Sequence, residues 1–216
     1  MNDKIKINEI FYSIDGEGMR AGYPAVFIRT AGCNLRCDYC DTGYALSKEA
    51  GVSMSIEDIE NKASEYNCKN ITLTGGEPLL NKAAKKLIKK LTESGYDVIV
   101  ETNGSIPIKD ITTCCKICMD WKIPSSGMCR EMLEENLSQL FAVDCLKMVV
   151  RKEDLPYVDK FLNEHTLACP VYISPVFGEI SLEEIAEFIK NYHGQNRVKM
   201  QVQLHKIIWD PDRRGV

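Results

Sequence analysis

The sequence predicts an α/β fold: a single-domain, open β/α barrel of about six mainly parallel strands. Strand-length apolar runs alternate with amphipathic helical stretches along 216 residues, and such alternation calls for parallel pairing through crossover connections. The length falls short of the about 250 residues of a complete eight-unit barrel, so the barrel is partial. No linker, repeat or low-complexity tract interrupts the chain, which leaves residues 1–216 as one domain around one core.

The elements follow in order. Lys4-Ile-Lys-Ile-Asn-Glu-Ile-Phe11 begins by alternating polar and apolar residues, as a half-buried strand does, and leads into a loop punctuated by Gly16, Gly18 and Gly22. A strand over 25–30 delivers a cysteine-rich loop at its carboxyl end, where β/α barrels build their sites. Ser55-Ile-Glu-Asp58 reads as a capping box, and Ile56, Ile59, Ala63 and Tyr66 then fall near one helical face. A strand over 71–74 ends in Gly75-Gly76. The next helix carries Ala84, Leu87, Ile88 and Leu91 on its apolar side and closes at Gly95. Further strands are expected over 98–101, 117–120, 145–150, 171–174 and 198–204. Further helices are expected near 130–140, 154–163 and 182–192, the last opened by a second capping box, Ser181-Leu-Glu-Glu184.

Hydrophobic residues at 44% and charged residues at 27% are ordinary globular values. No apolar run approaches the roughly 18 residues of a spanning helix, and Met1-Asn-Asp-Lys-Ile-Lys lacks the apolar core of a signal peptide. A cytosolic protein without a membrane partner is expected. The net charge of −4 argues against a nucleic-acid partner, since such binders carry basic stripes. Lys82, Lys85, Lys86, Lys89 and Lys90 crowd one helix and read as a solvated face.

Ten cysteines without a secretion signal do not form a disulfide framework, because cytosolic thiols are kept reduced. Metal chemistry is the better reading. Cys33, Cys37 and Cys40 stand within eight residues of Ala31-Gly-Cys-Asn-Leu-Arg-Cys-Asp-Tyr-Cys-Asp-Thr42. Iron–sulfur clusters are held by cysteine thiolates, and three ligands on a four-iron cubane leave one iron open to a small molecule. A structural zinc site closes with a fourth ligand at short spacing, whereas His165, His193 and His205 all lie far along the chain. Cys115 and Cys118 are three apart at an expected strand, so their side chains face opposite sides and suit no second metal site. Cys68, Cys129, Cys145 and Cys169 read as small buried or surface thiols.

The Cys-x3-Cys-x2-Cys run has informative flanks: Phe11-Tyr-Ser-Ile-Asp-Gly16-Glu-Gly18, Arg29-Thr-Ala-Gly-Cys33, Cys40-Asp-Thr42, Thr74-Gly-Gly-Glu-Pro78, Glu101-Thr-Asn-Gly104 and His205-Lys206. Together they resemble the 7-carboxy-7-deazaguanine synthases, a family of radical S-adenosylmethionine (SAM) enzymes, from Phe11 to about Lys206. The resemblance implies a [4Fe-4S] cluster on Cys33, Cys37 and Cys40, S-adenosyl-L-methionine at its open iron, and magnesium (Mg2+) on Thr42. It implies SAM contacts at Tyr39, Cys40 and Asp41, at Gly75, Gly76 and Glu77, at Asp120, Trp121 and Lys122, and at Ser174, Pro175, Val176 and Phe177. Glu77 would orient the SAM ammonium and Lys122 would pair its carboxylate. The implied substrate is 6-carboxy-5,6,7,8-tetrahydropterin, met by Ile14, Asp15, Gly16, Arg29, Thr74, His205 and Lys206. Arg29 would hold its carboxylate with a planar fork.

The implied reaction takes hydrogen from C6 of the pterin, rearranges the substrate radical, returns the hydrogen so that SAM is regenerated, and releases ammonia to give 7-carboxy-7-deazaguanine. An electron donor of flavodoxin or ferredoxin type, a homodimer and a cytoplasmic location go with the family. Alone, Thr42 would be a turn threonine, Arg29 a structural ion pair and Thr74-Gly-Gly-Glu-Pro78 a tight turn; beside the cysteine motif the functional readings are preferred. Two positions depart from the family pattern: Asp15 stands where many relatives carry Gln, and Leu204 where a hydroxyl residue is frequent. The rival readings are a radical SAM activase that makes a glycyl radical on a partner protein, against which the 11–18 loop and Thr42 speak, and a non-catalytic metal-binding module.

Overall fold

The computed structural model describes residues 3–216. Nine strands form one sheet in the order β3-β1-β2-β4-β5-β6-β7-β8-β9. At one edge β1 (Lys4–Ile14) pairs antiparallel with both β2 (Pro24–Thr30) and β3 (Val52–Ser55). From β2 the sheet continues in parallel through β4 (Asn70–Gly75), β5 (Asp97–Thr102), β6 (Lys116–Asp120), β7 (Cys145–Val150), β8 (Val171–Pro175) and β9 (Val198–Met200). The order is linear, with β3 and β9 at its edges, so the barrel stays open. Seven parallel strands stand where about six are expected. β1 runs to Ile14 because its pairing with β2 continues as far as Ile14 opposite Pro24.

Helices α1 (Ile56–Ser64), α2 (Ala84–Glu93), α3 (Leu155–Glu164) and α4 (Leu182–Asn191) follow β3, β4, β7 and β8 in the chain. Both expected capping boxes form, Ser55 with Asp58 and Ser181 with Glu184. α2 buries Ala84, Leu87, Ile88 and Leu91 completely, and each of the larger three contributes about 1.5–3 kcal/mol by leaving water. The lysines of α2 face outward and are neutralised: Lys85 pairs with Asp110, Lys86 with Asp3, Lys89 with Glu93 and Lys90 with Glu60. That is a solvated face, as the sequence suggests.

Two expected elements differ. The stretch 130–140 forms short 3-10 turns, Cys129–Glu131 and Glu134–Gln139, in place of a helix. Buried Asn136 accounts for this: its amide accepts from Ile108 N and donates to the carbonyls of Gly104 and Ile106, pinning the loop after β5. The last strand stops at Met200, because the Gln201 side chain brackets Gly18, accepting from its N–H at 2.7 Å and donating to its carbonyl at 2.9 Å. The chain then turns into a short helix, α5 (Leu204–Ile208).

Strand periodicity sorts the side chains into two layers. Val26, Ile28, Ile71, Leu73, Val98, Val100, Ile117, Met119, Leu146, Met148, Val171 and Ile173 join the main core. The alternate residues face inward: Ile99, Cys118, Cys145 and Tyr172 form a small second cluster. Toward the carboxyl ends of the strands the inward row turns polar, with Arg29, Thr74, Glu101, Asp120 and Lys147.

Candidate active site

That inward row lines a cavity of about 650 Å³ at the carboxyl end of the parallel strands. Loops complete its wall, and the sulfur-bearing loop reaches it with all three expected residues, Cys33, Cys37 and Cys40. The loop leaves β2 and is tied to the following turn, with Gly32 N donating to Ala45 O at 2.8 Å and Cys33 N to Leu46 O at 3.0 Å. On its other side the end of β4 presses close: Gly76 N donates to Thr30 O and Glu77 N to Gly32 O. A Cβ on Gly76 would collide with the Gly32 carbonyl, so the Gly-Gly pair is what lets two strand ends meet. Leu35 N at 3.4 Å and Asn103 Nδ2 at 3.7 Å both donate toward Cys33 Sγ. Burial raises the Cys37 thiol to about 11, reinforced by Asp120, Cys40 and Cys33 against Lys122.

Charged groups around the cavity are mostly paired. Lys122 Nζ lies 2.9 Å from Asp120, and Lys147 Nζ lies 3.0 Å from Glu17 and 3.6 Å from Asp120. Desolvation works against the charge on Asp120, yet Lys122 and Lys147 hold it below the usual carboxylate range. Desolvation likewise opposes the charge on Lys147, and Glu17 and Asp120 outweigh it, raising that ammonium's pKa well above its ordinary value. Asp41 at the mouth pairs with Lys206 at 3.3 Å and accepts from Gln203 at 3.3 Å, which ties the cysteine loop to the segment around α5. Lys206 also sits over the Phe177 ring. Tyr39 donates to Val149 O at 3.0 Å, with Arg151 over its ring. Thr42 starts a 3-10 turn without capping it, and its hydroxyl donates to Asp41 Oδ1 at 3.1 Å.

The remaining expected contacts divide. Ile14, Asp15, Gly16, Arg29, Thr74, Gly75, Gly76, Val176 and His205 line the cavity, together with Tyr39, Asp41, Thr42, Asp120, Lys122, Phe177 and Lys206. Gly16 leaves no room for a side chain, because a Cβ there would collide with His205 Nδ1. Arg29 Nε donates to Glu9 at 2.8 Å, leaving the rest of its fork toward the cavity. Asp15 is buried, accepts from Thr72 Oγ1 at 2.8 Å and lies 3.6 Å from Arg20 Nε. Burial, then the charge of Glu101, pushes its carboxyl up to about 6 despite those partners.

Four expected SAM contacts do not reach the cavity lining. Glu77 turns beneath the floor, where its carboxylate accepts from Leu79 N, Thr102 Oγ1 and Asn103 N at 2.9, 2.9 and 2.7 Å. Those three bonds lower its pKa, but burial dominates and raises it to about 7. It braces the loops after β4 and β5. Trp121 follows inward-facing Asp120 and so points to the opposite side, packing on Phe161 and donating to Tyr157 at 3.3 Å. Pro175 and Ser174 are wholly enclosed at the end of β8, with Ser174 Oγ lacking a partner among the described residues.

Comparison with known proteins agrees with this geometry. The pattern of the radical SAM superfamily matches residues 27–121. The 7-carboxy-7-deazaguanine synthase of Clostridium acetobutylicum is 42% identical over 98% of this chain and 99% of its own. That of Methanospirillum hungatei is 41% identical over 96% of this chain and 86% of its own. The crystal structure of QueE from Escherichia coli superposes with a TM-score of 0.68 at 22% identity, over 92% of this chain and 94% of that one, and so shares the fold. The chain belongs to the 7-carboxy-7-deazaguanine synthase family of radical SAM enzymes.

Membership brings a [4Fe-4S] cluster and SAM, and the donor set suits them. Three thiols from one loop, spread along a cavity wall with N–H donors toward sulfur, suit a cubane with one open corner. Cys115 lies just before β6 rather than in it, where its thiol donates to Ile111 O and packs on the main core, while Cys118 within β6 belongs to the inner cluster.

Glu17, Glu101 and Asn103 stand in the flanking motifs without an assigned role, and sequence reasoning passed over Tyr44 and Lys147; all five line the cavity. Lys147 left a signal, being the one charge in the apolar strand Cys-Leu-Lys-Met-Val-Val. Glu101 closes an apolar strand in the same manner and accepts from Thr74 Oγ1 at 2.8 Å. Tyr44 carries no such mark.

Proposed function

We propose that the chain is a 7-carboxy-7-deazaguanine synthase that converts 6-carboxy-5,6,7,8-tetrahydropterin to 7-carboxy-7-deazaguanine with loss of ammonia. The observation that carries it is one cavity joining the three-thiol loop to Arg29, Thr74 and the Ile14–Gly16 loop, in a chain with family relatives over nearly its whole length. Held at Cys33, Cys37 and Cys40, a reduced cluster with SAM would supply a radical that removes a hydrogen atom from the substrate, the same atom returning to the rearranged substrate radical so that SAM is not consumed.

The chain's own residues aim and enclose that chemistry. Cys33, Cys37 and Cys40 would hold three corners, and the backbone of Gly75 and Gly76 lines the cavity beside them, where the methionyl group would lie. The Asp120–Lys122 pair presents opposite charges to the amino and carboxylate groups of SAM, and Tyr39 offers its ring to adenine. Arg29 meets the pterin carboxylate. Thr74, Glu101 and the Asp15–Gly16 segment face the polar edge of the pterin with acceptors and donors.

Magnesium at Thr42 belongs to the same proposal. Its support is a hydroxyl that the turn does not use, beside the Asp41 carboxylate, and Mg2+ keeps waters while borrowing one or two protein oxygens. Such an ion would orient the substrate carboxylate. A flavodoxin- or ferredoxin-type donor and a homodimer are supported by the family resemblance. Among the described residues no helix is long and apolar enough to cross a membrane.

Anaerobic reconstitution tests the reading. Iron and sulfide should restore brown colour, and the pterin should give 7-carboxy-7-deazaguanine without matching consumption of SAM. Deoxyadenosine release that ignores the pterin, or no product at full cluster content, would overturn it.

A further inference from the structure

Cations around the cavity are almost all neutralised within the chain. Arg29 pairs with Glu9, Lys122 with Asp120, Lys147 with Glu17 and Asp120, and Lys206 with Asp41. An anionic substrate meeting Arg29 therefore meets a guanidinium that already has a carboxylate behind it. The exceptions come from the segment after α5, where residues 211–216 line the cavity: Arg213 and Arg214, of which only Arg214 is seated on an aromatic ring. Arg214 forms no ion pair with any described carboxylate. Its guanidinium carbon lies 3.8 Å from the centre of the Tyr44 ring, and Nη2 donates to Asn8 Oδ1 at 3.4 Å.

That perch is coupled to Arg29. Tyr44 donates its hydroxyl to the same Glu9 oxygen that holds Arg29 Nε, at 2.9 Å, and the Arg29 guanidinium lies 5.8 Å from the Tyr44 ring. One tyrosine thus positions two guanidinium groups at one end of the cavity, only one of them already neutralised. The aromatic face holds a cation without cancelling its charge, which leaves the hydrogen-bond donors of Arg214 for an anion.

We propose that Arg214 is a specificity-determining residue for the substrate's carboxylate, a second guanidinium beside Arg29 that Tyr44 holds over the mouth. This rests on the pterin reading of the same cavity. A carboxylated pterin gains from both cations; a pterin bearing hydrogen at C6 gains from neither. One charge-assisted hydrogen bond is worth about ten- to hundredfold in affinity.

The experiment uses the anaerobic holoenzyme with SAM and two probes, 6-carboxytetrahydropterin and tetrahydropterin without the carboxylate. Arg214→Gln should weaken the carboxylated probe by about ten- to hundredfold, leave the other unchanged, and keep cluster content. Arg214→Lys should recover part of the loss. Tyr44→Leu should reproduce it, while Tyr44→Phe, which keeps the ring, should lose less. In the wild type, the carboxylated probe should slow tryptic cleavage after Arg214, read by intact mass. Equal weakening of both probes, or none of either, overturns the assignment. A wild type that neither binds nor turns over the carboxylated pterin overturns the parent reading and this inference with it, whereas normal wild-type turnover with an indifferent Arg214→Gln overturns this inference alone.

Discussion

Lys147→Met places a large demand on the site. The Lys147 side chain is 9% exposed and its partner Glu17 is 12% exposed, at 3.0 Å. Methionine fills similar volume without charge, so packing is conserved while Glu17 loses its cation. Glu17 Oε1 already has no hydrogen-bond partner among the described residues, which leaves its carboxylate no alternative. Asp120 keeps Lys122 at 2.9 Å and suffers less. Removing one partner of a buried pair costs about 3–5 kcal/mol, which for a domain of this size is roughly 6–20 °C in melting temperature.

Urea unfolding of the iron-free protein at pH 7 should show that loss, and Glu17→Gln in the Lys147→Met background should return at least half of it. Because Asp120 is held below its ordinary value, its contribution is present above about pH 4 and lost below. A loss under about 1 kcal/mol, or additive effects of the two substitutions, would refute the pairing as a source of stability.

Three further outcomes follow from the site. Cys33→Ala, Cys37→Ala and Cys40→Ala should each abolish the brown cluster and SAM cleavage, while Cys115→Ala should keep full iron; iron loss in the latter would make Cys115 a metal ligand. Arg29→Lys should impair pterin turnover far more than SAM binding, because a point charge cannot hold Glu9 and a substrate carboxylate with one fork; an unchanged pterin affinity would assign Arg29 to structure. Thr42→Ala should blunt stimulation by added magnesium with cluster content near normal, and Ser should substitute in part. A wild-type rate indifferent to magnesium and to thorough chelation removes the metal from the mechanism.

Much of the fold is local and so is written in the chain. The capping boxes at Ser55 and Ser181, the apolar face of α2 and the strand period at 117–119 each depend on residues a few positions apart. The three thiols share one loop, so their spacing, read with its flanks, offers them as candidate cluster ligands. Tertiary structure decided the rest. Asn136 turns an expected helix into 3-10 turns by bonding a loop about thirty residues earlier, and Gln201 ends β9 by bracketing Gly18.

The same division runs through the site. Glu77 stands in a motif that suggests a SAM contact, yet its destination depends on Thr102 and Asn103 arriving from the next strand. Lys147 and Glu17 are 130 residues apart in sequence and 3.0 Å apart in space. Residue type and short-range period say which groups can do chemistry and which face of a strand they occupy. Which of them meet, and which are left with an uncancelled charge, depends on long-range pairing, because the free energy of a buried charge is set by its neighbours in space.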